Sequence, residues 1–233
     1  MIFGAIRKFS TIDYPGKLAC VLGTKGCNMN CHWCHNYDLV SFEFSPECRI
    51  ITEPEVMAIL KERTGFIEGV VVSGGEPTLQ KDLPDFCQRV KTLGLAVKLD
   101  TNGTHPAMIE ALIQEELIDY VAMDIKTDFQ SYPAITKSEF HPEKIKQSID
   151  LLLNGSLPYE FRTTCVKPFV DKTRIQRIGE LIQGADHLFL QKFDHTHVSN
   201  HEYSGNRDAG FDDAEMADLR QRAQPYVAEC RIR

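Results

Sequence analysis

Short apolar runs alternate with amphipathic segments along most of this chain. The runs are rich in Val, Leu, Phe and Tyr and are bounded by Gly, Pro and Asp or Asn. Apolar runs of this length between turn residues are typical of buried strands. They predict strands at residues 18–24, 69–73, 95–101, 119–125, 157–164 and 187–193.

The segments between these runs have the periodicity and the end signals of helices. Thr52 with Glu55 three residues later forms a capping-box pattern, Gly94 stands where a helix C′ glycine is expected, and Gly184 marks the end of another helix. The pattern predicts helices at residues 53–61, 82–93, 106–115, 142–153, 171–182 and 212–223. Strands that alternate with helices predict an α/β fold with a parallel sheet.

Polar side chains stand at the ends of nearly all the predicted strands. In parallel α/β folds the carboxyl ends of the strands converge on one ligand site, so these groups predict a polar cleft there. The polar loop 194–211 contains three histidines, with His195 nearest the last strand, and we expect it to lie over this cleft. The strand-end groups are Ser73-Gly74-Gly75-Glu76, Asp100-Thr101-Asn102, Asp124-Ile125-Lys126, Arg162-Thr163-Thr164 and Gln191-Lys192.

Composition narrows the class of protein. The 233 residues include 26 Lys and Arg against 33 Asp and Glu, a net charge of −7, which argues against a nucleic-acid partner. No apolar run approaches the ~18 residues of a membrane helix, and the N-terminus lacks the apolar core of a signal peptide. We therefore expect a cytoplasmic protein with one domain over residues 1–233 and no membrane partner.

Three of the eight cysteines are clustered, with the spacing C-x3-C-x2-C at Cys27, Cys31 and Cys34. Zinc sites usually contain paired C-x2-C motifs, and His32 or His35 could reach the same ion as a fourth ligand only with strain. Three close thiolates without an obvious fourth suggest instead a [4Fe–4S] cluster with one open iron. The scattered cysteines are expected to be buried as small apolar residues. They are Cys20, Cys48, Cys87, Cys165 and Cys230.

The loop Cys27-x3-Cys31-His32-Trp33-Cys34, followed after the next predicted strand by Gly74-Gly75-Glu76, resembles the radical S-adenosylmethionine (SAM) family. The resemblance implies a partial (β/α)6 barrel and one [4Fe–4S] cluster. It also implies that SAM binds the open iron and is cleaved reductively to a 5′-deoxyadenosyl radical, which abstracts a hydrogen atom.

Further motifs resemble the activating enzymes of glycyl radical enzymes, above all the activating proteins of anaerobic ribonucleoside-triphosphate reductases. Larger activases have a cysteine-rich insert where His35–Ser73 here contains only Cys48, so a second cluster is not expected. The implied partners are a glycyl radical enzyme, most of all an anaerobic ribonucleotide reductase, and a reducing electron donor such as flavodoxin. The motifs are Asp13-Tyr14-Pro15-Gly16, Trp33-Cys34-His35-Asn36, Asp100-Thr101-Asn102-Gly103 and Asp124-Ile125-Lys126.

The resemblance also implies the residues that contact the cofactors. Trp33 would stack on the adenine or shield the cluster, and Gly74 and Gly75 would let the backbone approach the methionyl amino group. Glu76 would mainly shape its loop. No catalytic side chain is implied. The implied cofactor contacts are Trp33, His35, Gly74, Gly75, Glu76, Asp100, Asp124, Lys126 and Arg162.

The two aspartates at strand ends suggest a further ion. Two unpaired carboxylates at one cleft would repel each other unless a cation lies between them. By resemblance to the pyruvate formate-lyase activase, Asp100 and Asp124, with the Thr101 and Ala122 carbonyls, would bind a monovalent cation. Lys126 and Arg162 would then pair with the SAM carboxylate or ribose.

The turn Asp13-Tyr14-Pro15-Gly16 is expected on the rim of the cleft, where it would present Asp13 and Tyr14 outward to a partner. Several alternatives to activation of a ribonucleotide reductase stay open. They are activation of a pyruvate formate-lyase-type enzyme, radical SAM chemistry on a small molecule, and a non-enzymatic iron–sulfur electron carrier.

Overall fold

The computed structural model describes residues 1–42, 50–137, 139–196, 198 and 206–233. These residues form an α/β protein with two compact units. The first unit comprises residues 1–28, 38–101 and 105–121, and the second comprises residues 29–37, 102–104 and 122–233.

In its described residues the first unit has parallel strands at its centre and an antiparallel hairpin at one edge. The strand order is β3-β1-β2-β4-β5, in which β1 pairs antiparallel with β2 and β3, whereas β2, β4 and β5 are parallel. The elements are β1 (Ile2–Ser10), β2 (Ala19–Thr24), β3 (Ile51–Thr52), α1 (Glu53–Arg63), β4 (Gly69–Gly74), α2 (Leu83–Thr92), β5 (Ala96–Thr101) and α3 (Pro106–Gln114).

The register of the parallel strands defines two ends of this unit. At the amino end Ala19 pairs with Gly69 and Gly69 with Ala96, while at the carboxyl end Thr24 pairs with Gly74. Val70, Val71 and Val72 in β4 are fully buried because this strand is covered on both faces, as in parallel sheets generally.

The second unit repeats the alternation of strands and helices. Its strand order is β6-β7-β8-β9, with β7, β8 and β9 parallel, and the boundary between the units falls within β6. The elements are β6 (Tyr120–Asp124), α4 (Pro142–Leu153), β7 (Tyr159–Cys165), α5 (Lys172–Leu181), β8 (His187–Lys192), α6 (Asp213–Ala223) and β9 (Glu229–Ile232).

The predicted strands and helices are present within a few residues of their expected bounds. The capping box predicted for α1 is confirmed, since Thr52 N donates to Glu55 Oε2 at 2.7 Å and the Thr52 hydroxyl accepts from Glu55 N. Gly94 is the C′ residue after α2 with φ of 74°, whereas Gly184, with φ of 90°, lies one residue beyond the C′ position of α5. The strands β1, β3 and β9 were not predicted.

The predicted position of the turn at Asp13–Gly16 is wrong. Because β1 runs antiparallel to β2 and Ser10 pairs with Ala19, this turn lies at the amino end of the parallel strands, opposite Gly74. Tyr14 is buried rather than outward-facing, and it packs with Ala19 and Val71. Asp13 accepts a hydrogen bond from the Ser10 hydroxyl.

None of the helices in the described part of the chain is long and apolar enough to cross a membrane.

Candidate active site

The start of the cysteine loop and the Gly74-Gly75-Glu76 motif are joined at the carboxyl end of the first unit. Gly75 N donates to the Thr24 carbonyl at 2.8 Å, and Glu76 N donates to the Gly26 carbonyl at 2.7 Å. On its other side the loop is held by Cys27 N, which donates to the Val40 carbonyl at 3.1 Å. The backbone therefore fixes where the loop leaves the sheet.

The two glycines are required for this close approach. A Cβ at Gly75 would lie 2.1 Å from the Gly26 carbonyl oxygen, and one at Gly74 would lie 2.4 Å from Thr24 N. Gly74 also has φ of 107°, which a residue with a Cβ rarely adopts. Packing of the cysteine loop is thus a second reason for glycine here, besides the predicted approach to the methionyl group.

Glu76 is buried, and its carboxylate accepts hydrogen bonds from residues of the first unit. Its Oε1 accepts hydrogen bonds from Thr78 N at 3.1 Å and from the Thr101 hydroxyl at 2.7 Å. These bonds connect the loop after β4 to the end of β5. They agree with the expectation that Glu76 shapes the loop.

Asp100, at the end of β5, forms an ion pair with Lys98 two residues earlier. The Lys98 side chain is 1% exposed, and its Nζ lies 6.0 Å from the centre of the Tyr120 ring. The prediction of a cation assumed uncompensated carboxylates, and for Asp100 that assumption is wrong because Lys98 supplies a positive charge.

Asp124, at the end of β6 in the second unit, carries two positively charged partners. Its Oδ2 accepts from Lys126 Nζ and its Oδ1 accepts from Arg162 Nε, each at 2.8 Å. The negative charge of Asp124 is therefore also compensated within its own unit. The assumption of an uncompensated carboxylate, on which the predicted cation depended, is wrong for Asp124 too. Lys126 and Arg162 contact a carboxylate of the protein.

Neighbouring charges keep both Asp124 and Lys126 in their charged forms. Burial alone would raise the pKa of Asp124, but the Arg162 guanidinium and the Lys126 ammonium hold it well below its usual value. Burial would lower the pKa of Lys126, but Asp124 and the Cys31 sulfur hold it above its usual value. The Lys126 ammonium places positive charge beside the cysteine loop.

The part of the cysteine loop in the second unit packs on an aromatic side chain. Trp33 is 3% exposed, and its ring centre lies 4.7 Å from that of Phe169. The His32 ring meets the same phenylalanine edge-on. Asn30 N donates to the Ile135 carbonyl at 2.8 Å, which ties the loop to the segment before α4.

His35 contacts the segment that follows β8. Its Nε2 lies 2.9 Å from the Asp194 carbonyl oxygen, and its ring stacks on Phe193 with 6.2 Å between the centres. The His35 side chain is exposed. His195 is half-buried, whereas His197 and His201, in the predicted loop 194–211, lie outside the described residues.

The clustered and the scattered cysteines have different environments. Cys27, Cys31 and Cys34 are half-buried, whereas the described scattered cysteines are buried, as predicted; Cys48 lies outside the described residues. Burial raises the pKa of the Cys20 thiol to about 11 and that of the Cys87 thiol to about 12. Such thiols are inert, whereas half-buried ones can bind metal.

The donor set of the loop fits an iron–sulfur cluster. Burial raises the pKa of the Cys34 thiol, while the nearby Lys126 lowers it and would offset thiolate charge. Across the described residues, no three His, Cys, Asp or Glu side chains converge closely enough to hold a single metal ion. The thiolates of a [4Fe–4S] cube each bind a different iron atom.

Sequence reasoning missed three residues that support this site. Lys98 compensates Asp100, Phe169 covers Trp33, and the Tyr132 hydroxyl accepts a hydrogen bond of 3.0 Å from Lys126 N. A lysine inside the apolar run 95–101 could have been identified from the sequence as unusual. Phe169 and Tyr132 lie in segments without a motif, so nothing in the sequence marked them.

The sequence profile of the radical SAM superfamily matches residues 21–178, which include the cysteine loop, Gly74-Gly75-Glu76, Asp124 and Arg162. The chain belongs to the radical SAM superfamily, whose members use a [4Fe–4S] cluster and SAM. Of the predicted cofactors, the [4Fe–4S] cluster and SAM are thereby confirmed at the level of the superfamily, whereas the monovalent cation stays a prediction.

Two curated relatives narrow the class within that superfamily. A protein of Methanocaldococcus jannaschii, named as a candidate glycyl-radical enzyme activating enzyme, is 37% identical over 207 residues, 87% of this chain and 84% of the relative. The pyruvate formate-lyase-activating enzyme of Staphylococcus aureus is 29% identical over 203 residues, 82% of this chain and 78% of the relative. The chain accordingly belongs to the family of glycyl-radical-enzyme activating enzymes, as predicted.

A solved structure shows the same fold at low sequence identity. Coproporphyrinogen III oxidase of Escherichia coli, a radical SAM enzyme, superposes with a TM-score of 0.57 at 11% identity. The match covers 92% of this chain and 53% of the oxidase chain. The predicted fold class, α/β of the radical SAM type, is confirmed.

Proposed function

We propose that this activating enzyme abstracts a hydrogen atom from a backbone glycine of an anaerobic ribonucleoside-triphosphate reductase. The observation that carries the proposal is the hydrogen-bonded junction between the cysteine loop and Gly74-Gly75-Glu76, the two radical SAM motifs. The choice of partner rests on the resemblance of Asp100–Gly103 and Asp124–Lys126 to the motifs of that group of activases.

Cys27, Cys31 and Cys34 would hold the [4Fe–4S] cluster. When bound, the cluster supplies the electron that cleaves SAM to methionine and a 5′-deoxyadenosyl radical. The protein contributes half-buried thiolates and, near Cys31 and Cys34, the Lys126 ammonium. This positive charge offsets part of the negative charge that three thiolates bring into a partly buried site.

Asp124, Lys126 and Arg162 would hold the charged end of SAM. The Lys126 ammonium and the Arg162 guanidinium would attract the SAM carboxylate, while Asp124 keeps both cations in place through hydrogen bonds of 2.8 Å. Arg162 is 13% exposed and Lys126 is 20% exposed, so a ligand atom can reach each of them. A charge-assisted hydrogen bond in such an environment is stronger than a neutral one.

The other predicted contacts would have positioning roles. Gly75 and Glu76 hold the cysteine loop, and Asp100 offers a carboxylate at the end of β5. The burial of Trp33 against Phe169 favours its shielding role over stacking on adenine. His35 holds the segment after β8 through the Asp194 carbonyl and would act on SAM through that segment.

The remaining predictions form part of the same proposal. The whole chain would act as a single radical SAM domain in the cytoplasm, with a reducing electron donor such as flavodoxin. The span between His35 and Ser73 contains only Cys48, which supports a single cluster. A pyruvate formate-lyase-type partner is the second candidate, because the Staphylococcus aureus relative bears that name.

The test is to reconstitute the protein anaerobically, reduce it with dithionite, add SAM and a candidate partner, and record EPR spectra. We expect a glycyl doublet with the anaerobic ribonucleotide reductase and none when its radical-site glycine is replaced by alanine. A doublet only with a formate-lyase-type partner would favour the second candidate. SAM cleavage without a doublet on either partner would favour a small-molecule substrate, and no effect of SAM on the cluster would favour an electron carrier.

A further inference from the structure

Lys98 is a lysine in an otherwise apolar stretch of β5, and its side chain is 1% exposed. Lysine is almost never fully buried unless its charge is paired, because removing an ammonium from water is costly. The partner here is Asp100, and the Tyr120 ring lies 6.0 Å from the ammonium. The lysine therefore exchanges hydration for one carboxylate and one aromatic ring.

The position of Lys98 directs its charge towards the carboxyl end of β5. Residues two apart in a strand share a face, so Lys98 and Asp100 project from the same side. At the amino end, Ala96 is on that side too and packs against the buried cluster of Tyr14, Ala19 and Val71. The ammonium thus stands between an apolar cluster and a carboxylate that is 13% exposed.

A small monovalent cation bound to Asp100 would occupy the position that the Lys98 ammonium occupies. Both carry one positive charge, but the ammonium is covalently tethered and has lost its hydration in the folded state. A solvent cation would have to be dehydrated and would have to displace the buried Lys98 ammonium, which forms an ion pair with no other carboxylate in the described part of the chain. Substitution by an outside ion is therefore unfavourable.

We propose that Lys98 is a positioning residue that takes the place of a bound monovalent cation at Asp100. Its ammonium neutralises the Asp100 carboxylate and fixes its orientation for the bound SAM. This inference rests on the proposed role of Asp100 in SAM binding. It implies that SAM affinity is independent of the monovalent cation in the buffer and that the dependence appears when Lys98 loses its charge.

The experiment measures SAM binding to the reconstituted, unreduced holoenzyme by calorimetry in KCl, NaCl and choline chloride at equal ionic strength. Wild type should bind SAM equally in all three salts, within about twofold. Lys98→Met and Lys98→Gln should bind about tenfold more weakly in choline, as for loss of one charged hydrogen bond, and should recover in KCl or NaCl. Two variants are used in case one does not fold.

Lys91→Met is the matched control, because Lys91 pairs with Asp119 near the amino end of β5, whereas Asp100 stands near the carboxyl end of that strand. It should bind SAM as wild type does in every salt. Recovery by a small cation separates a charge role from a merely structural one, since K⁺ would not repair a packing defect.

Wild-type affinity that falls about fivefold or more in choline would overturn the proposal, because it would reveal a cation site. Unchanged affinity of both Lys98 variants in choline would overturn it too, as would a loss that neither K⁺ nor Na⁺ recovers. Failure of wild type to bind SAM in any salt would instead contradict the proposed function. Normal SAM binding by Asp100→Asn would contradict only the role of Asp100 on which this inference rests.

Discussion

The two ends of the parallel strands in the first unit differ in almost every respect. At the amino end, Tyr14 is buried against Ala19, Gly69 and Val71. At the carboxyl end, the contacts around Gly75 are backbone hydrogen bonds to the cysteine loop. The amino end is therefore part of the packed core, whereas the carboxyl end holds the cysteine loop by polar contacts.

This difference indicates where each part of the sequence acts. In βα-barrel enzymes the carboxyl ends of the strands carry the chemistry and the amino ends carry stability. Changes at the carboxyl end should therefore remove cluster and SAM chemistry without unfolding the protein. Changes at the amino end should lower stability and leave the cluster intact.

The largest effect is expected from the cysteines. Replacing Cys27, Cys31 or Cys34 by alanine should abolish the cluster, seen as loss of the charge-transfer absorbance and of all 5′-deoxyadenosine formation. The matched variant is Cys20→Ala at the amino end, which should keep the cluster and lose stability only, because its thiol is buried and inert. A full cluster in Cys31→Ala, or its loss in Cys20→Ala, would contradict this division.

Gly69, which begins β4, and Gly75, which directly follows this strand, give the next comparison. Gly75→Ala would place a methyl group 2.1 Å from the Gly26 carbonyl oxygen, so the cysteine loop must move. We expect SAM cleavage to fall about a hundredfold, as for an ångström-scale displacement of reacting groups. Gly69→Ala meets the Tyr14 ring at 3.0 Å and should cost stability while the rate per cluster stays near wild type. Equal rates of SAM cleavage per cluster in Gly75→Ala and Gly69→Ala would contradict the placement of the chemistry at the carboxyl end.

At the amino end, Tyr14→Ala should lower the free energy of unfolding by about 3–5 kcal/mol, as is usual for a large buried aromatic side chain. Urea denaturation of the apoprotein measures this loss. Asp13→Asn, in the same turn, should leave the glycyl doublet on a partner unchanged, because the turn is at the end opposite Gly74. A doublet weakened by Asp13→Asn would show that the partner docks there.

A smaller effect concerns acid sensitivity near the carboxyl end of β6. Burial alone would raise the pKa of Asp128, but hydrogen bonds from Ser131 and Arg177 hold it below its usual value. Its contribution to stability is therefore complete above the unfolded pKa of ~4 and is lost as pH falls through the folded pKa.

Asp128→Asn should accordingly lower the unfolding free energy at pH 7 by about 1–3 kcal/mol and weaken its pH dependence below ~4. Asp213→Asn, at an exposed pair with Lys192, is the control and should change little. The same pH profile in wild type and Asp128→Asn would rule out this contribution.

Much of the fold could be predicted because the signals are local. Apolar runs and capping residues mark β2, β4 to β8 and the helices α1 to α6 within a few residues. The strand β1 was missed because its sequence IFGAIRKFS mixes apolar, small and charged residues without a buried run; five of its nine residues are exposed. Without β1, nothing indicated that the following turn lies at the amino end.

The site residues that belong to a sequence motif could be predicted. The contacts that depend on tertiary packing could not. The cysteines, Gly74-Gly75-Glu76 and the strand-end aspartates could be identified from spacing and resemblance. The ion pairs could not, because whether Asp124 faces Lys126, Arg162 or solvent depends on the register of β6 and β7. Lys98 stands only two residues from Asp100, and yet its burial depends on Tyr120 from another strand.

Transfer of the glycine hydrogen tests the central claim most directly. The partner reductase is produced with glycine deuterated at both Cα positions, mixed with the reduced holoenzyme and SAM, and the 5′-deoxyadenosine is analysed by mass spectrometry. Abstraction from a backbone glycine predicts one deuterium in the product, in an amount that matches the glycyl radical counted by EPR. 5′-Deoxyadenosine without deuterium, formed at the same rate with and without the partner, would contradict the account.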